Sequence, residues 1–380
     1  MKKYYLFAPG PTPIPPEVLQ ALSRPILHHR TPEFEALFAR VRTALADLFE
    51  TRSEVLILAA SGTGAMEAAV VNLLSPGDEA IVIRCGKFGE RWGEICAAFG
   101  VQVHALDAPY GETVPPDRVV AALNAHPGAK ALFATQSETS TGVLQDIEAY
   151  AALSRRTETL LVVDTVSSFG ALPCPMDAWG VDVVVAGSQK GLMCPPGLGF
   201  ITLSDRAWHA AESARLPKFY WDLRTERRWQ AKRQAQFTPA VSLLMGLDVA
   251  IGLLKTEGLP QVYRRHDRLA RAMRAGVEAL GLTLFPRATA SPAVTAVTAP
   301  PGVDGEAVVR AYGEEHNITI AGGQGEMKGR IFRLAHLGYV GEYDVLVGLA
   351  ALERVLAGLG VPVEFGAGLA AAQRLLAKDS

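Results

Sequence analysis

The chain reads as an α/β protein, with a mostly parallel sheet of seven strands in a large domain and a smaller α+β domain after it. Two observations predict this. Seven apolar runs of strand length (54–60, 80–84, 101–106, 131–135, 159–164, 181–186 and 198–203) alternate with segments of helical period. Runs that are apolar on both faces and separated by helices suit a parallel sheet covered on both sides. Past about Ala240 the texture changes to long helices over 243–255 and 261–280, then short strands at 282–285, 293–298, 318–320 and 330–334, with helices over 306–315 and 343–359. The 380 residues suffice for about two domains at roughly 100–200 residues each. The expected divisions are an amino-terminal arm over 1–30, a large domain over 31–256 and a small domain over 257–380.

The arm follows from its prolines. Pro9-Gly10-Pro11-Thr12-Pro13 and Pro15-Pro16 fix φ and remove donors, so this stretch is expected to be extended and neither helix nor central strand. A first helix is expected over 32–49. The Lys-, Arg- and aromatic-rich stretch 215–233 reads as a solvated connector or interface segment.

Composition excludes several classes. Hydrophobic residues make up 49% and charged residues 20%, the balance of a well-packed globular enzyme. A net charge of −2 gives no reason to expect nucleic acid or an anionic membrane as partner. No apolar run approaches the roughly 18 residues of a membrane helix, and Tyr4 to Ala8 is too short for a secretory core. Cys85, Cys96, Cys174 and Cys194 lack C-x-x-C spacing, so neither a metal centre nor a disulfide framework is expected, and the location expected is cytoplasmic.

Three features carry chemistry. Ser61-Gly62-Thr63-Gly64 follows a strand and opens a helix, where free N–H groups and the helix dipole favour an anion. Alone it could be an ordinary N-capped turn, and it matches neither the Walker nor the dinucleotide pattern. Asp164 ends the run Leu160-Leu161-Val162-Val163, at the strand end where α/β folds bind ligands, though a turn residue would also fit there. Lys190 follows Val183-Val184-Val185-Ala186-Gly187-Ser188-Gln189; alone it could be a surface lysine, but at the same sheet rim a desolvated amine can form a Schiff base. Together, a phosphate cradle, a strand-end Asp and a strand-end Lys match what pyridoxal 5′-phosphate requires: an anion site, a partner for its protonated ring nitrogen and an amine for its aldehyde.

The sequence resembles the class V, fold-type I aminotransferases, most closely their alanine–glyoxylate and serine–glyoxylate (serine–pyruvate) branch. The resemblance spans nearly the whole chain. It is carried by Pro9-Gly10-Pro11-Thr12, Ser61-Gly62-Thr63-Gly64, Ser137-Glu138-Thr139-Ser140-Thr141-Gly142-Val143, Val163-Asp164-Thr165-Val166-Ser167-Ser168, Gly187-Ser188-Gln189-Lys190, Phe237-Thr238-Pro239-Ala240 and Arg333-Leu334-Ala335-His336-Leu337-Gly338. It implies that Lys190 is the Schiff-base lysine and general base, and Asp164 the pyridinium partner. It implies that Ser61, Gly62 and Thr63 hold the phosphate with Gln189 nearby, that Phe88 stacks on the cofactor where relatives often have Trp, and that Thr139 lies by the ring and the substrate. Thr238 would reach the phosphate of the other subunit in a homodimer, and Arg333 would bind the substrate α-carboxylate. A charged residue between Phe332 and Leu334 on an apolar strand also argues for function on its own.

The activity implied is transfer of the amino group of a small amino acid, serine or alanine, to a small 2-oxo acid, glyoxylate or pyruvate. Two alternatives stay open: a 2-aminoethylphosphonate–pyruvate aminotransferase, whose phosphonate the basic stretch 215–233 could meet, and a non-catalytic accessory subunit of a hydrogenase-type complex. A cysteine desulfurase is disfavoured, because no Cys follows Cys194 and Gln189 stands where those enzymes usually have His.

Overall fold

A computed structural model of the chain describes residues 3–378; Met1 and Lys2 of the expected arm, and Asp379 and Ser380 of the expected small domain, lie outside them. Seven strands form the central sheet: β1 (Val55–Ala60), β2 (Glu79–Arg84), β3 (Gln102–Asp107), β4 (Ala131–Thr135), β5 (Leu160–Asp164), β6 (Val183–Gly187) and β7 (Gly197–Leu203). Their order is β1-β7-β6-β5-β4-β2-β3. Only β7 runs antiparallel to its neighbours, so the other six end at the same edge of the sheet. All seven strands lie where the apolar runs predict them, within two residues at each end.

Alternation sorts each strand's side chains onto two faces. Ile57, Ile81, Leu132, Leu161 and Val184 face one core, which helices Pro32–Phe49 and Val241–Glu257 cover. Leu56, Val82, Phe133, Val162 and Val183 face the other, under helices Gly62–Leu73 and Lys87–Ala98. Both faces are therefore buried, and the central strands β4, β5 and β6 have no exposed position.

A third core surrounds a three-stranded antiparallel sheet of Val294–Thr298, Ile331–Ala335 and Ala321–Gly322, packed by helices Leu259–Ala279, Gly305–His316 and Glu342–Gly358. Two expected strands differ here. The 282–285 segment makes only one bridge, Leu284 to Val297, because Pro286 has no N–H with which to continue a ladder. Ile318–Thr319 pairs in parallel with Tyr5–Leu6 of the arm instead of joining the three-stranded sheet.

The arm is extended through Pro13, but Pro16 opens a helix, Pro16–Leu22, that the proline count concealed. Proline suits the first turn of a helix, where its missing N–H would have no acceptor. Helix Leu223–Ala231 likewise emerges inside the basic stretch, capped by the Asp222 carboxylate, which accepts from the amides of Arg224 and Thr225.

Phe7 of the arm is 2% exposed and belongs to the core of the smaller sheet, while its carbonyl accepts from the Ala335 amide at 2.7 Å. Phe7→Ala should lower stability by about 3–5 kcal/mol. Denaturant unfolding measures the effect.

Candidate active site

Five loops at the shared strand edge build one site. Ser61, Gly62 and Thr63 follow β1, Phe88 follows β2, and Glu138 and Thr139 follow β4; Asp164 closes β5, and Gln189 and Lys190 follow β6. The chain order reverses at β2, which lies between β3 and β4, so the loops after β2 and β4 open a crevice there. Arg333 comes from the other core, on the middle strand of the three-stranded sheet.

Lys190 is 7% exposed. Its Nζ donates to Ser167 Oγ at 3.2 Å and stands 5.7 Å from the centroid of the Phe88 ring. Burial lowers its amine to about 8, with Arg333 and Arg91 pushing the same way and Asp164 and Glu138 opposing. Part of the amine is thus uncharged near neutrality. The arm lies over this side chain: a Cβ on Gly10 would meet Lys190 Cε at 2.5 Å, at a φ of +144°, so glycine is required there. Thr12 Oγ1 donates to the Lys190 carbonyl at 2.8 Å and fixes the backbone beneath it.

Asp164 is 3% exposed and pairs in register with Thr135 and Val185. Burial pushes its carboxyl up to about 6, against the lowering effect of the Val166 amide, which donates to Oδ1 at 2.7 Å.

Arg333 is 4% exposed, and two backbone carbonyls hold its guanidinium: Nε donates to Gly322 O at 2.9 Å and Nη1 to Thr139 O at 2.7 Å. Nη2 has no hydrogen-bond partner among the described residues, so the Nη1–Nη2 end can present a fork to a carboxylate. Burial lowers the Arg333 cation to about 10, opposed by Glu138. Thr139 is fully buried, with its hydroxyl 3.4 Å from Ser167 Oγ. Phe88 does not sink into the core; its half-buried ring has the Arg91 guanidinium 4.9 Å and Lys190 Nζ 5.7 Å from its centroid.

The fit to pyridoxal phosphate is testable on these residues. Ser61 caps helix Gly62–Leu73 by accepting from the Gly64 amide at 3.3 Å, which leaves its own hydroxyl hydrogen to donate outward. The Gly62 and Thr63 amides are first-turn donors with no acceptor inside the helix. Arg91 Nη1 donates to Thr63 Oγ1 at 3.1 Å and adds a cation to that corner. The Gln189 side-chain amide lies beside the same loop and makes no hydrogen bond among the described residues, so its Nε2 is left to donate to a phosphate. Donors, a cation, an aromatic face, a strand-end carboxyl and a desolvated amine therefore fit the phosphate, ring and aldehyde of that cofactor.

Thr238 lies elsewhere, lining a small cavity with Phe38, Leu58 and Tyr220, and no hydrogen bond connects it to the lysine. Sequence reasoning missed Arg91, Ser167 and Glu138. Arg91 lies one helical turn after Phe88, a spacing that could have found it. Glu138 is fully buried; its Oε2 accepts from the Phe88 and Gly89 amides at 3.0 and 2.9 Å, and its Oε1 from Ser140 Oγ at 2.6 Å.

The class-V aminotransferase family model matches residues 4–330. A protein of Synechococcus sp. named soluble hydrogenase, small subunit, is 47% identical over 380 residues, covering 98% of both chains. An L-aspartate–glyoxylate aminotransferase of Paracoccus denitrificans is 38% identical, over 97% of this chain and 95% of its own. The crystal structure of an alanine–glyoxylate aminotransferase from Nostoc sp. matches with a TM-score of 0.90 and 34% identity, covering 94% of this chain and 96% of that one.

The raised Asp164 carboxyl has a consequence for the cofactor-free chain. A group that binds its proton more tightly when folded adds stability below the ordinary value of 3.8 and loses it as pH rises through about 6. Asp164→Asn should therefore melt higher than the parent at about pH 7, with the gain shrinking as the pH falls to about 4. Thermal melts of the two apoproteins across that window measure it; a gain independent of pH would mean that the carboxyl titrates normally.

Proposed function

We propose, starting from a chain that belongs to the class-V aminotransferase family and works with pyridoxal 5′-phosphate, that it moves the amino group of alanine or serine to glyoxylate or pyruvate. The observation that carries this reading is that a desolvated amine and a guanidinium meet around Thr139: Lys190 Nζ donates to Ser167 Oγ, which lies 3.4 Å from the Thr139 hydroxyl, and Arg333 Nη1 donates to the Thr139 carbonyl. When bound, the cofactor supplies an aldehyde for the substrate amine and an electron sink for the Cα carbanion.

The chain's own residues do the rest. The Arg333 fork takes the α-carboxylate and fixes the substrate plane. Lys190 Nζ, uncharged in part at neutral pH, takes the proton from Cα and returns it on the other side of the transfer. Asp164 holds a proton at the ring nitrogen, and burial of its carboxyl strengthens that pair. Ser61, Gly62, Thr63 and Gln189 hold the phosphate with Arg91, and Phe88 covers one face of the ring. Glyoxylate is the acceptor named for both aminotransferase relatives, and alanine the donor named for the Nostoc protein. A serine hydroxyl would find partners in Thr139 and Ser167.

Three cations of the basic stretch weigh against the phosphonate reading. In the basic stretch Arg227 pairs with Glu54 at 2.9 Å and Arg224 with Asp222 at 3.6 Å, while Lys218 donates to the carbonyls of Val71, Ala214 and Leu216. These three cations are occupied by their own chain. The likeness to a protein named a hydrogenase small subunit supports a second reading, in which this chain also takes a partner chain. A homodimer fits the exposed aromatics Phe219 and Tyr220, of which Tyr220 stacks on Phe237 and Phe219 packs tilted against it, next to Thr238. The working units would be the arm over 1–30, the cofactor-binding unit over 31–256 and the unit over 257–380, in a cytoplasmic protein.

Offering alanine, serine and aspartate one at a time to the loaded protein, and measuring the oxo acid formed, tests the donor. Alanine or serine should react fastest; preference for aspartate, or no reaction with any of them, would overturn the reading. Lys190→Ala should abolish transfer. Arg333→Lys keeps a charge but loses the planar fork, so kcat/KM for every α-amino acid should fall at least roughly ten- to a hundredfold. Amines without a carboxylate should be unaffected by that change. Equal rates for alanine in parent and variant would move carboxylate recognition away from Arg333.

A further inference from the structure

We propose that Glu79, His104 and His126 form a binding site for one divalent cation of the zinc class at the outer edge of the central sheet. Three separate segments bring the donors together. Glu79 opens β2, His104 lies on the edge strand β3, and His126 follows helix Pro116–Ala125 as its C-cap. The register explains the first two. His104 is paired with Ile81, and Ile81 lies two residues from Glu79, so all three share one face of the sheet. Ile81 belongs to the same core as Val119 and Leu123 of the helix, which brings the helix end and His126 over that face.

The donors are already near one another. His104 Nε2 stands 2.9 Å from Glu79 Oε2, and one donor atom from each residue lies within 4.8 Å of the others. The rings of His104 and His126 stack at 3.6 Å between centroids with 16° between planes. Aromatic pairs prefer offset or edge-on contacts, so a near face-to-face pair needs a further reason to stay together. The His126 imidazole makes no hydrogen bond to the described residues, and all three side chains are half-buried and open to solvent on one side. A cation shared by two ring nitrogens and a carboxylate oxygen would give these groups one common partner.

Ligand chemistry selects the cation. Two imidazoles with one carboxylate suit zinc, whereas magnesium and calcium prefer oxygen donors throughout. At the usual zinc bond length of about 2.0–2.1 Å, tetrahedral donors stand roughly 3.3 Å apart. The His104–Glu79 pair has nearly that spacing, and His126 can close by tilting its ring. Water would take the fourth position. The bound ion would tie the edge strand to its neighbour and to the helix end. The cluster lies toward the beginning of β2, while the catalytic loops leave the strands at their other ends, so the ion would act on stability and not on transfer.

Calorimetric titration of the untagged, cofactor-loaded protein with zinc tests this, with cobalt absorbance as the report of coordination. One zinc per chain should bind and raise Tm, and magnesium should do neither. His104→Ala and His126→Ala should each weaken zinc binding at least tenfold, and Glu79→Gln somewhat less, with transfer rates and zinc-free melting close to those of the parent. The other adjacent pair, His28 and His29, has rings 4.8 Å apart and serves as the control; His28→Ala with His29→Ala should leave binding intact. Absence of zinc binding, parent-like affinity in the His104 and His126 variants, or loss only in the His28–His29 variant would overturn the proposal.

Discussion

Desolvation of the Lys190 amine is the constraint on which the rest of the site depends. An amine in water stays protonated at neutral pH and is a poor nucleophile and base. Burial under the arm lowers it to about 8, and that burial requires Gly10, because any side chain at that position would collide with Lys190 Cε. Amino-terminal chain therefore completes a site whose other parts lie more than fifty residues further on. The arm is held there from both sides. Phe7 and strand Tyr5–Leu6 join the smaller sheet's core, while helix Pro16–Leu22 packs Leu22 and Val18 near Gly246 of helix Val241–Glu257.

The charges around the amine follow from the same burial. Two carboxylates, Asp164 and Glu138, face three cations, Lys190, Arg333 and Arg91. Isolated buried charges are costly, so each is tied to backbone or to a partner. Glu138 shows this most fully: burial pushes its carboxyl up, and backbone amides at the start of helix Lys87–Ala98 together with the Ser140 hydroxyl offset part of that cost. It thereby fixes the helix start that carries Phe88, and its neighbour Thr139 holds Arg333. The cationic surplus that remains suits ligands bearing a phosphate and a carboxylate.

The fold was largely legible because strand-length apolar runs buried on both faces have few other uses. The candidate pair was legible for a related reason: Asp164 closes one such run, and Lys190 stands three residues past another. What stayed hidden depends on long-range packing. The 282–285 run looks like a strand until Pro286 is considered, and Ile318–Thr319 found its partner more than three hundred residues away in the arm. Arg91 and Ser167 look like ordinary surface-helix and turn residues, and only the crossing of chain segments brings them beside Thr63 and Lys190. Glu79, His104 and His126 form no motif in sequence, because strand pairing and a helix end unite them.

The position of Arg333 shows what the third core contributes. A guanidinium on the same sheet rim as Lys190 would sit beside the amine instead of facing it across the crevice. The three-stranded sheet supplies Arg333 from the opposite wall, and the bond from Nη1 to the Thr139 carbonyl closes the two walls on each other. Its loop continues the clamp. Gly338, at a φ of +79°, would bring a Cβ within 3.0 Å of the Lys190 carbonyl. The Gly338 amide donates at 2.9 Å to Nε2 of His266, whose Nδ1 faces the Val262 carbonyl at 2.7 Å. Burial lowers His266 to about 3, so it stays neutral, with its one ring proton directed to Val262 and Nε2 left as the acceptor. The smaller core thus holds both the Arg333 cation and the loop against the lysine backbone, and any shift of one against the other would change the distance between amine and guanidinium.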